Sequence, residues 1–134
     1  MEYAELMNKA AEAREFAYAP YSHFKVGAAL LAKNGKVYTG CNIENAAYTP
    51  TVCAERTAFF KAVSEGERDF EAIAIVGGKE GEIAPFCAPC GVCRQVMAEF
   101  CNAETFKLVL GSPNKFEVYT LSVLPFAFTP KDVK

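Results

Sequence analysis

The sequence predicts an α/β protein in which helices cover a mixed five-stranded sheet. Segments with the apolar spacing of helices alternate with short apolar segments typical of strands, and strand-helix-strand units favour parallel pairing with right-handed crossovers. An Asn34-Gly35 pair between two apolar runs is a strong hairpin signal, so one strand pair is expected to be antiparallel. The predicted order is helix, strand, strand, helix, strand, helix, strand, strand.

Each element follows from local spacing and from its Gly and Pro boundaries. Asn34-Gly35 predicts a type I′ turn, because both central residues of that turn need positive φ. The predicted elements are a helix over residues 2–17, strands over 24–33 and 36–41, a helix over 53–64, a strand over 70–76, a loop over 77–89, a helix over 91–100, strands over 105–110 and 116–120, and a helical turn from 121.

Length and charge restrict the possible functions. With 134 residues, 51% of them hydrophobic, the chain is expected to form a single domain over 1–134 with a full core. A net charge of -2 and the absence of Lys or Arg runs argue against a nucleic-acid partner and favour a small, weakly charged ligand. No apolar run approaches the roughly 20 residues of a membrane span. The acidic start differs from a secretory signal, so we expect a cytoplasmic protein without membrane contact.

Three cysteines and one carboxylate predict a catalytic metal site. Cys53 and Glu55 begin one predicted helix, and Cys90 and Cys93 lie at the start of the next. Thiolates are soft ligands that favour zinc, and free N–H groups at helix starts lower thiol pKa values. Three protein ligands leave the fourth tetrahedral position for water. Glu55 can then handle the protons of that water.

The cysteine register has an alternative, because Cys87, Cys90 and Cys93 form two overlapping C-x-x-C pairs. We favour the second pair, since Pro89 pushes the preceding residue towards extended geometry and leaves Cys87 in the loop. An iron-sulfur cluster is disfavoured because the spaced fourth Cys followed by Pro is absent. A redox pair would need neither a third Cys nor Glu55.

Other functional interpretations remain open from the residues alone. A closed four-cysteine zinc site would take its fourth ligand from Cys41, Cys87 or Cys101. Three thiolates and one Zn²⁺ leave a net negative charge, which a nearby cation would offset. Arg56 or Arg94 could supply that cation by hydrogen-bonding to the sulfurs. Alternatively, both arginines are solvated residues on the helix surface. His23, the only histidine, is expected on the loop before the first strand, without a role in the site.

Four segments, residues 24–30, 42–46, 53–58 and 89–95, together resemble cytidine deaminases of the small, three-cysteine, homotetrameric type. The resemblance spans residues 20–128 and implies a three-layer α-β-α fold. It implies one zinc per subunit and hydrolytic deamination of cytidine and deoxycytidine to uridine and deoxyuridine in pyrimidine salvage. By that likeness Cys53, Cys90 and Cys93 hold zinc, zinc-bound hydroxide attacks C4, and Glu55 shuttles protons to N3 and to the leaving amine.

The same resemblance implies the substrate contacts. Asn42 and Glu44 match positions that bind the ribose 3′-hydroxyl, although from the residues alone an ordinary turn is the simpler interpretation. Phe24 matches an aromatic that packs on the base, although a Phe that opens a buried strand is more often core. The backbone N–H of Ala54 and carbonyls near Pro89 match groups that bind the base edge.

Two further aromatics, Tyr48 and Phe128, match residues that cross subunit boundaries, with Phe128 reaching a neighbour's base. The chain departs from the family's common pattern at Thr49-Pro50 and at Phe126, which affects the rim of the site and the tail. Those departures leave a deaminase of cytosine nucleoside antibiotics, of the blasticidin S type, as an alternative. A non-catalytic zinc-stabilised binding protein is a second alternative, which gives Glu55 no role.

Overall fold

The computed structural model describes residues 1–123 of the chain and contains the predicted elements in the predicted order. None of the helices in these residues combines the length and hydropathy of a membrane span. The elements are α1 (Tyr3–Arg14), β1 (Phe24–Ala32), β2 (Val37–Cys41), α2 (Ala54–Ser64), β3 (Phe70–Lys79), α3 (Gly91–Phe100), β4 (Lys107–Ser112), β5 (Lys115–Thr120) and a 3₁₀ turn (Leu121–Val123).

The five strands form one mixed sheet in the order β2-β1-β3-β4-β5. The pair β3–β4 is parallel, while β1–β2, β1–β3 and β4–β5 are antiparallel. The connection from β2 through α2 to β3 therefore passes over β1, and the connection through α3 joins the two parallel neighbours. The predicted mixed five-stranded sheet is confirmed.

Alternate residues of β1 supply two separate cores. Ala28 and Leu30 face α2 and α3, whereas Ala29 and Leu31 face α1. One helix therefore covers one face of the sheet and two helices cover the other, which is the three-layer α-β-α arrangement expected from the resemblance.

A cluster of four aromatic rings holds α2 against α3 and the sheet. The ring of Phe59 on α2 is fully buried, and its centroid lies 5.1 Å from that of Phe70, 6.1 Å from Phe106 and 6.4 Å from Phe100. Burying one such side chain contributes about 1.5–3 kcal/mol, and aromatic pairs add about 0.5–1.5 kcal/mol each. The cluster fixes how the two helices sit relative to each other, and therefore where their N-termini lie.

The β1–β2 hairpin is confirmed, but the predicted type I′ turn is wrong. Gly35 has φ of 93°, whereas Asn34 is not among the residues with positive φ. The Gly35 N–H donates to the Ala32 carbonyl at 3.0 Å, and the Ala32 N–H donates to the Lys36 carbonyl at 2.9 Å. These bonds define a type I turn followed by a left-handed glycine, so the loop has three residues and needs positive φ only at Gly35.

Strand β3 is longer than predicted because it continues through two glycines to Lys79. Gly77 and Gly78 pair with Val26 and Lys25 of β1. A Cβ on Gly78 would lie 2.5 Å from the Glu82 carbonyl oxygen, so only glycine lets the chain fold back so closely. Residues 80–89, which follow β3 and lead to Cys90, are called the rim loop below.

Candidate metal centre and active site

The sulfurs of Cys53, Cys90 and Cys93 converge where α2 and α3 begin. All three lie within 4.8 Å of one another. The Cys53 and Cys90 sulfurs are 3.8 Å apart, and those of Cys90 and Cys93 are 3.5 Å apart. Zinc-sulfur bonds of about 2.3 Å in a tetrahedron place sulfurs about 3.8 Å apart, so the spacing of this donor set fits zinc.

Helix geometry explains why these three thiols meet. Cys53 and Cys90 are the N-cap residues of α2 and α3, both with extended backbone, and neither side chain caps its helix. Their sulfurs are therefore available to a ligand. Cys93 lies in the first turn of α3 and is 1% exposed. Unpaired N–H groups at both helix starts make the surroundings favourable for negative charge.

Hydrogen bonds within the cluster perturb the thiols. The Cys93 thiol donates to the Cys53 sulfur, and this bond is the main reason that the pKa of Cys53 is lowered. The same bond raises the pKa of Cys93.

Arg56 lies against the sulfurs, whereas Arg94 does not. The Nη2 of Arg56 donates to the Cys53 sulfur at 3.4 Å, and hydrogen bonds to Cys53 and Cys93 raise the pKa of Arg56. Its Nε is buried and has no partner within residues 1–123. The Nε of Arg94 instead donates to the Pro89 carbonyl at 2.8 Å. Of the two interpretations left open, the structure favours sulfur contact for Arg56 and fixing of the rim loop for Arg94.

Glu55 lies in the first turn of α2 and is 5% exposed. Desolvation raises the pKa of its carboxyl to about 7, although a hydrogen bond from its own backbone N–H opposes the shift. The Cys53 charge adds to the upward shift, and both Cys53 and Cys93 lie close enough to influence this carboxyl. The structure therefore brings a buried carboxylate of near-neutral pKa next to the three sulfurs.

Cys87 belongs to the rim loop and lies outside the group of three. Burial raises its pKa to about 11, with further contributions from the charges of Glu55 and Cys53. A Cβ on Gly77 would lie 2.6 Å from the Cys87 sulfur, so this thiol packs on the backbone of β3. All six cysteines are free, and the metal-ligand group among the described residues contains three of them.

Asn42 and Glu44 connect the loop after β2 to the chain before β1. The Asn42 side chain donates to the Phe24 carbonyl at 2.8 Å and accepts from the Val26 N–H at 2.9 Å. The Glu44 carboxylate accepts from the backbone N–H groups of Tyr21 and Ser22 at 3.0 and 3.1 Å. Each side chain keeps unused hydrogen-bonding capacity, so the ribose contact stays a prediction.

Ser22 is a residue of this region that sequence reasoning missed. Its hydroxyl donates to the Glu44 carboxylate and accepts from the Phe24 N–H at 3.0 Å. The bond from this hydroxyl is the main reason that the pKa of Glu44 is lowered. A Ser after Pro-Tyr indicates only a turn, because its partner is more than 20 residues away along the chain.

The remaining predicted contacts occupy different positions. Phe24 opens β1 and is 37% exposed, so it lies at the rim and not in the core. Tyr48 is 75% exposed with φ of 63°, and Ala54 is fully buried at the start of α2. His23 lies on the loop before β1, as expected, with φ of 57°. Phe128 and Phe126 lie outside the described residues.

Comparisons with known proteins find similarity to cytidine deaminases along nearly the whole chain. Residues 1–109 match the family model of the cytidine and deoxycytidylate deaminase zinc-binding region. The chain is 51% identical over 134 residues to a cytidine deaminase of Sporosarcina psychrophila, covering 99% of this chain and 96% of that protein. It is 53% identical over 130 residues to one of Halalkalibacterium halodurans, covering 96% and 95%. A crystal structure of the cytidine deaminase from Burkholderia pseudomallei superposes with a TM-score of 0.86 at 48% identity, covering 96% of this chain and 100% of that one.

Proposed function

Because this chain belongs to the cytidine and deoxycytidylate deaminase family, we propose that it hydrolyses cytidine and deoxycytidine to uridine and deoxyuridine in pyrimidine salvage. One observation carries the proposal: a buried carboxylate, Glu55, lies beside three convergent cysteine sulfurs. Three ligands suit a catalytic zinc, which keeps a position open, and a closed structural site would give that carboxylate no role. The chain is therefore a zinc-dependent hydrolase.

Cys53, Cys90 and Cys93 would hold the metal. When bound, zinc supplies Lewis acidity that makes water a nucleophile at neutral pH. Three thiolates leave the zinc site with one net negative charge, which weakens that effect. Arg56 donates to the Cys53 sulfur and offsets this charge.

Glu55 serves as the proton carrier. Its carboxylate takes the first proton from the attacking water and delivers it to N3 of the pyrimidine. It then takes the second proton from the hydroxyl newly attached to C4 and delivers it to the amine, which leaves as ammonia while the C4 carbonyl forms. A group that both accepts and donates a proton works best when its pKa lies near the operating pH. Burial brings the pKa of Glu55 to about 7, which suits both steps.

The substrate lies between the rim and the start of α2. Phe24 packs on the base, and the Ala54 N–H, one of the helix N–H groups without an intrahelical acceptor, contacts the base edge. Asn42 and Glu44 contact the ribose 3′-hydroxyl with their unused hydrogen-bonding capacity. The carbonyl of Pro89, fixed by Arg94, completes the base contacts.

We further propose a cytoplasmic homotetramer with shared active sites. Large apolar side chains are exposed in one chain, among them Tyr48 at 75%, Val92 at 57% and Phe60 at 49%. Contact with neighbouring subunits would cover them, and Phe128 of one subunit would reach the base bound by another. A reducing compartment suits a protein whose thiols bind metal. Light scattering of the purified protein tests the assembly, and a monomer at micromolar concentration would contradict it.

The decisive experiment is a spectrophotometric assay of the purified protein with cytidine, deoxycytidine, CMP and blasticidin S. We expect turnover of the two nucleosides, and loss of that turnover after treatment with a chelator. Zinc should restore the activity. Turnover of CMP but not of cytidine, or turnover of blasticidin S alone, would overturn the proposed substrate class. Full activity in metal-free protein would overturn the proposed mechanism.

A further inference from the structure

Arg14 is a buried arginine whose side-chain hydrogen bonds within residues 1–123 all go to backbone carbonyls of other segments. It is 5% exposed and lies in the last turn of α1. Its Nε donates to the Lys25 carbonyl at 2.9 Å, and its Nη2 donates to the carbonyls of Gly78 at 3.0 Å and Lys79 at 2.7 Å. The Glu82 carbonyl of the rim loop also accepts from Nη2, so the two hydrogens of this nitrogen are shared among three carbonyls.

Two glycines let these segments come so close. A Cβ on Gly27 would lie 2.0 Å from the Ala10 carbonyl oxygen and 2.4 Å from the Arg14 nitrogen, so the end of α1 rests directly on β1. A Cβ on Gly78 would lie 2.5 Å from the Glu82 carbonyl oxygen. Arg14 thus fills the junction of α1, the start of β1, the end of β3 and the rim loop.

The cation in this junction has almost no counter-charge. The single ion pair of Arg14 within residues 1–123 joins its Nη1 to Glu15 at 4.0 Å, and the Glu15 side chain is 71% exposed. Burying a guanidinium is costly unless hydrogen bonds satisfy it, and here backbone carbonyls do so. An apolar side chain would fill the volume without that cost, but it could not fix four carbonyls from three segments.

The junction borders the proposed substrate site. Phe24 precedes the Lys25 carbonyl that Arg14 holds, and a hollow of about 570 Å³ is lined by Phe24 together with Gly78, Lys79 and residues 82–85. The rim loop is also tied to the loop before β1, because the Glu80 N–H donates to the His23 carbonyl at 3.1 Å. Any shift at Arg14 would therefore change the distance between Phe24 and the rim loop.

We propose that Arg14 is a positioning residue for substrate binding, which sets the spacing of Phe24 and the rim loop through its bonds to Lys25, Gly78 and Glu82. Arg14 itself does not touch the substrate. This inference rests on the proposed function, because Phe24 is the contact through which it acts.

Arg14→Lys keeps the charge but cannot reach several carbonyls with one planar group. We expect KM for cytidine to rise about tenfold, with kcat within about twofold and one zinc per chain retained, because the loss falls on binding. Gly78→Ala moves the rim loop away from β3 with Arg14 intact and should raise KM in the same way. Dissociation constants for uridine, measured by calorimetry, should follow KM in both variants.

Arg68→Lys is the matched control. Arg68 also donates to backbone carbonyls, those of Val63 and Glu67, but it does so on the exposed surface after α2. The KM of Arg68→Lys for cytidine should equal that of the native protein. An unchanged KM in folded Arg14→Lys and Gly78→Ala, or losses of kcat that parallel zinc loss, would overturn the positioning role. Failure of both variants to fold would also overturn it, in favour of a purely structural role. A native protein inactive on cytidine would instead overturn the proposed function.

Discussion

Replacing Cys90 or Cys87 by alanine separates the two overlapping C-x-x-C registers. Cys90 is exposed, and its sulfur lies 3.8 and 3.5 Å from those of Cys53 and Cys93. Cys87 lies outside that group and packs on Gly77. Cys90→Ala is therefore expected to release zinc, whereas Cys87→Ala is expected to keep it.

The size of the effect follows from the number of ligands. Structural zinc sites with four ligands bind with about 10–16 kcal/mol at neutral pH, or about 2.5–4 kcal/mol for each ligand. Since about 1.4 kcal/mol corresponds to a tenfold change, loss of the Cys90 sulfur should weaken zinc binding by about 60- to 700-fold. Cys87→Ala removes one half-buried sulfur and should cost about 1 kcal/mol of unfolding free energy through the small cavity left behind.

Both variants are dialysed against the same competing chelator, and zinc is then measured by atomic emission. Native protein and Cys87→Ala should retain close to one zinc per chain, and Cys90→Ala almost none. Circular dichroism checks that each variant is folded. Zinc retained by Cys90→Ala and lost by Cys87→Ala would refute the register that the sulfur positions define.

Three further outcomes test the site and the fold. Glu55→Gln should keep zinc but lower kcat by at least about 10²-fold, the ordinary contribution of a positioned acid-base group, and a rate within tenfold of native would contradict the proton-carrier role. In urea unfolding, Phe59→Ala should lose about 3–5 kcal/mol of unfolding free energy, because the Phe59 ring is fully buried among three others. Phe60 is the next residue and is exposed, so Phe60→Ala should lose far less. Equal losses in the two variants would contradict the packing. Hydrogen bonds lower the pKa of Glu44 below its ordinary 4.5, so the stabilisation from this group is present above pH 4.5 and is lost as the pH falls through the folded-state pKa. Stability measured against pH should therefore fall less on the acid side for Glu44→Gln, and identical acid profiles would count against the Ser22 contact.

Local signals were enough to predict which three cysteines the structure brings together. Cys53, Cys90 and Cys93 occur at helix starts, where spacing and Pro89 predict both the helix boundary and the exclusion of Cys87. The bounds of α3 agree with the predicted 91–100 because Gly91 and the apolar run after it define them locally.

What the sequence could not predict depends on residues that meet only in the fold. Gly77-Gly78 indicates a loop by composition, and it becomes strand because β1 pairs with it and the rim loop packs on it. From the sequence, Arg14 and Arg56 are both simply charged residues of predicted helices, and nothing distinguishes their roles. Only the folded chain gives Arg14 its four carbonyls and gives Arg56 its sulfur.

The position of β3 has a consequence for folding kinetics. Cys53 and Cys90 are 37 residues apart, and the chain between them includes β3, which pairs with β1 on one side and β4 on the other. Because pairing between distant residues forms slowly, we expect the two helix starts to meet only after this central strand has been inserted. Native-like zinc uptake should therefore be a late event in refolding, and its time course would report completion of the sheet.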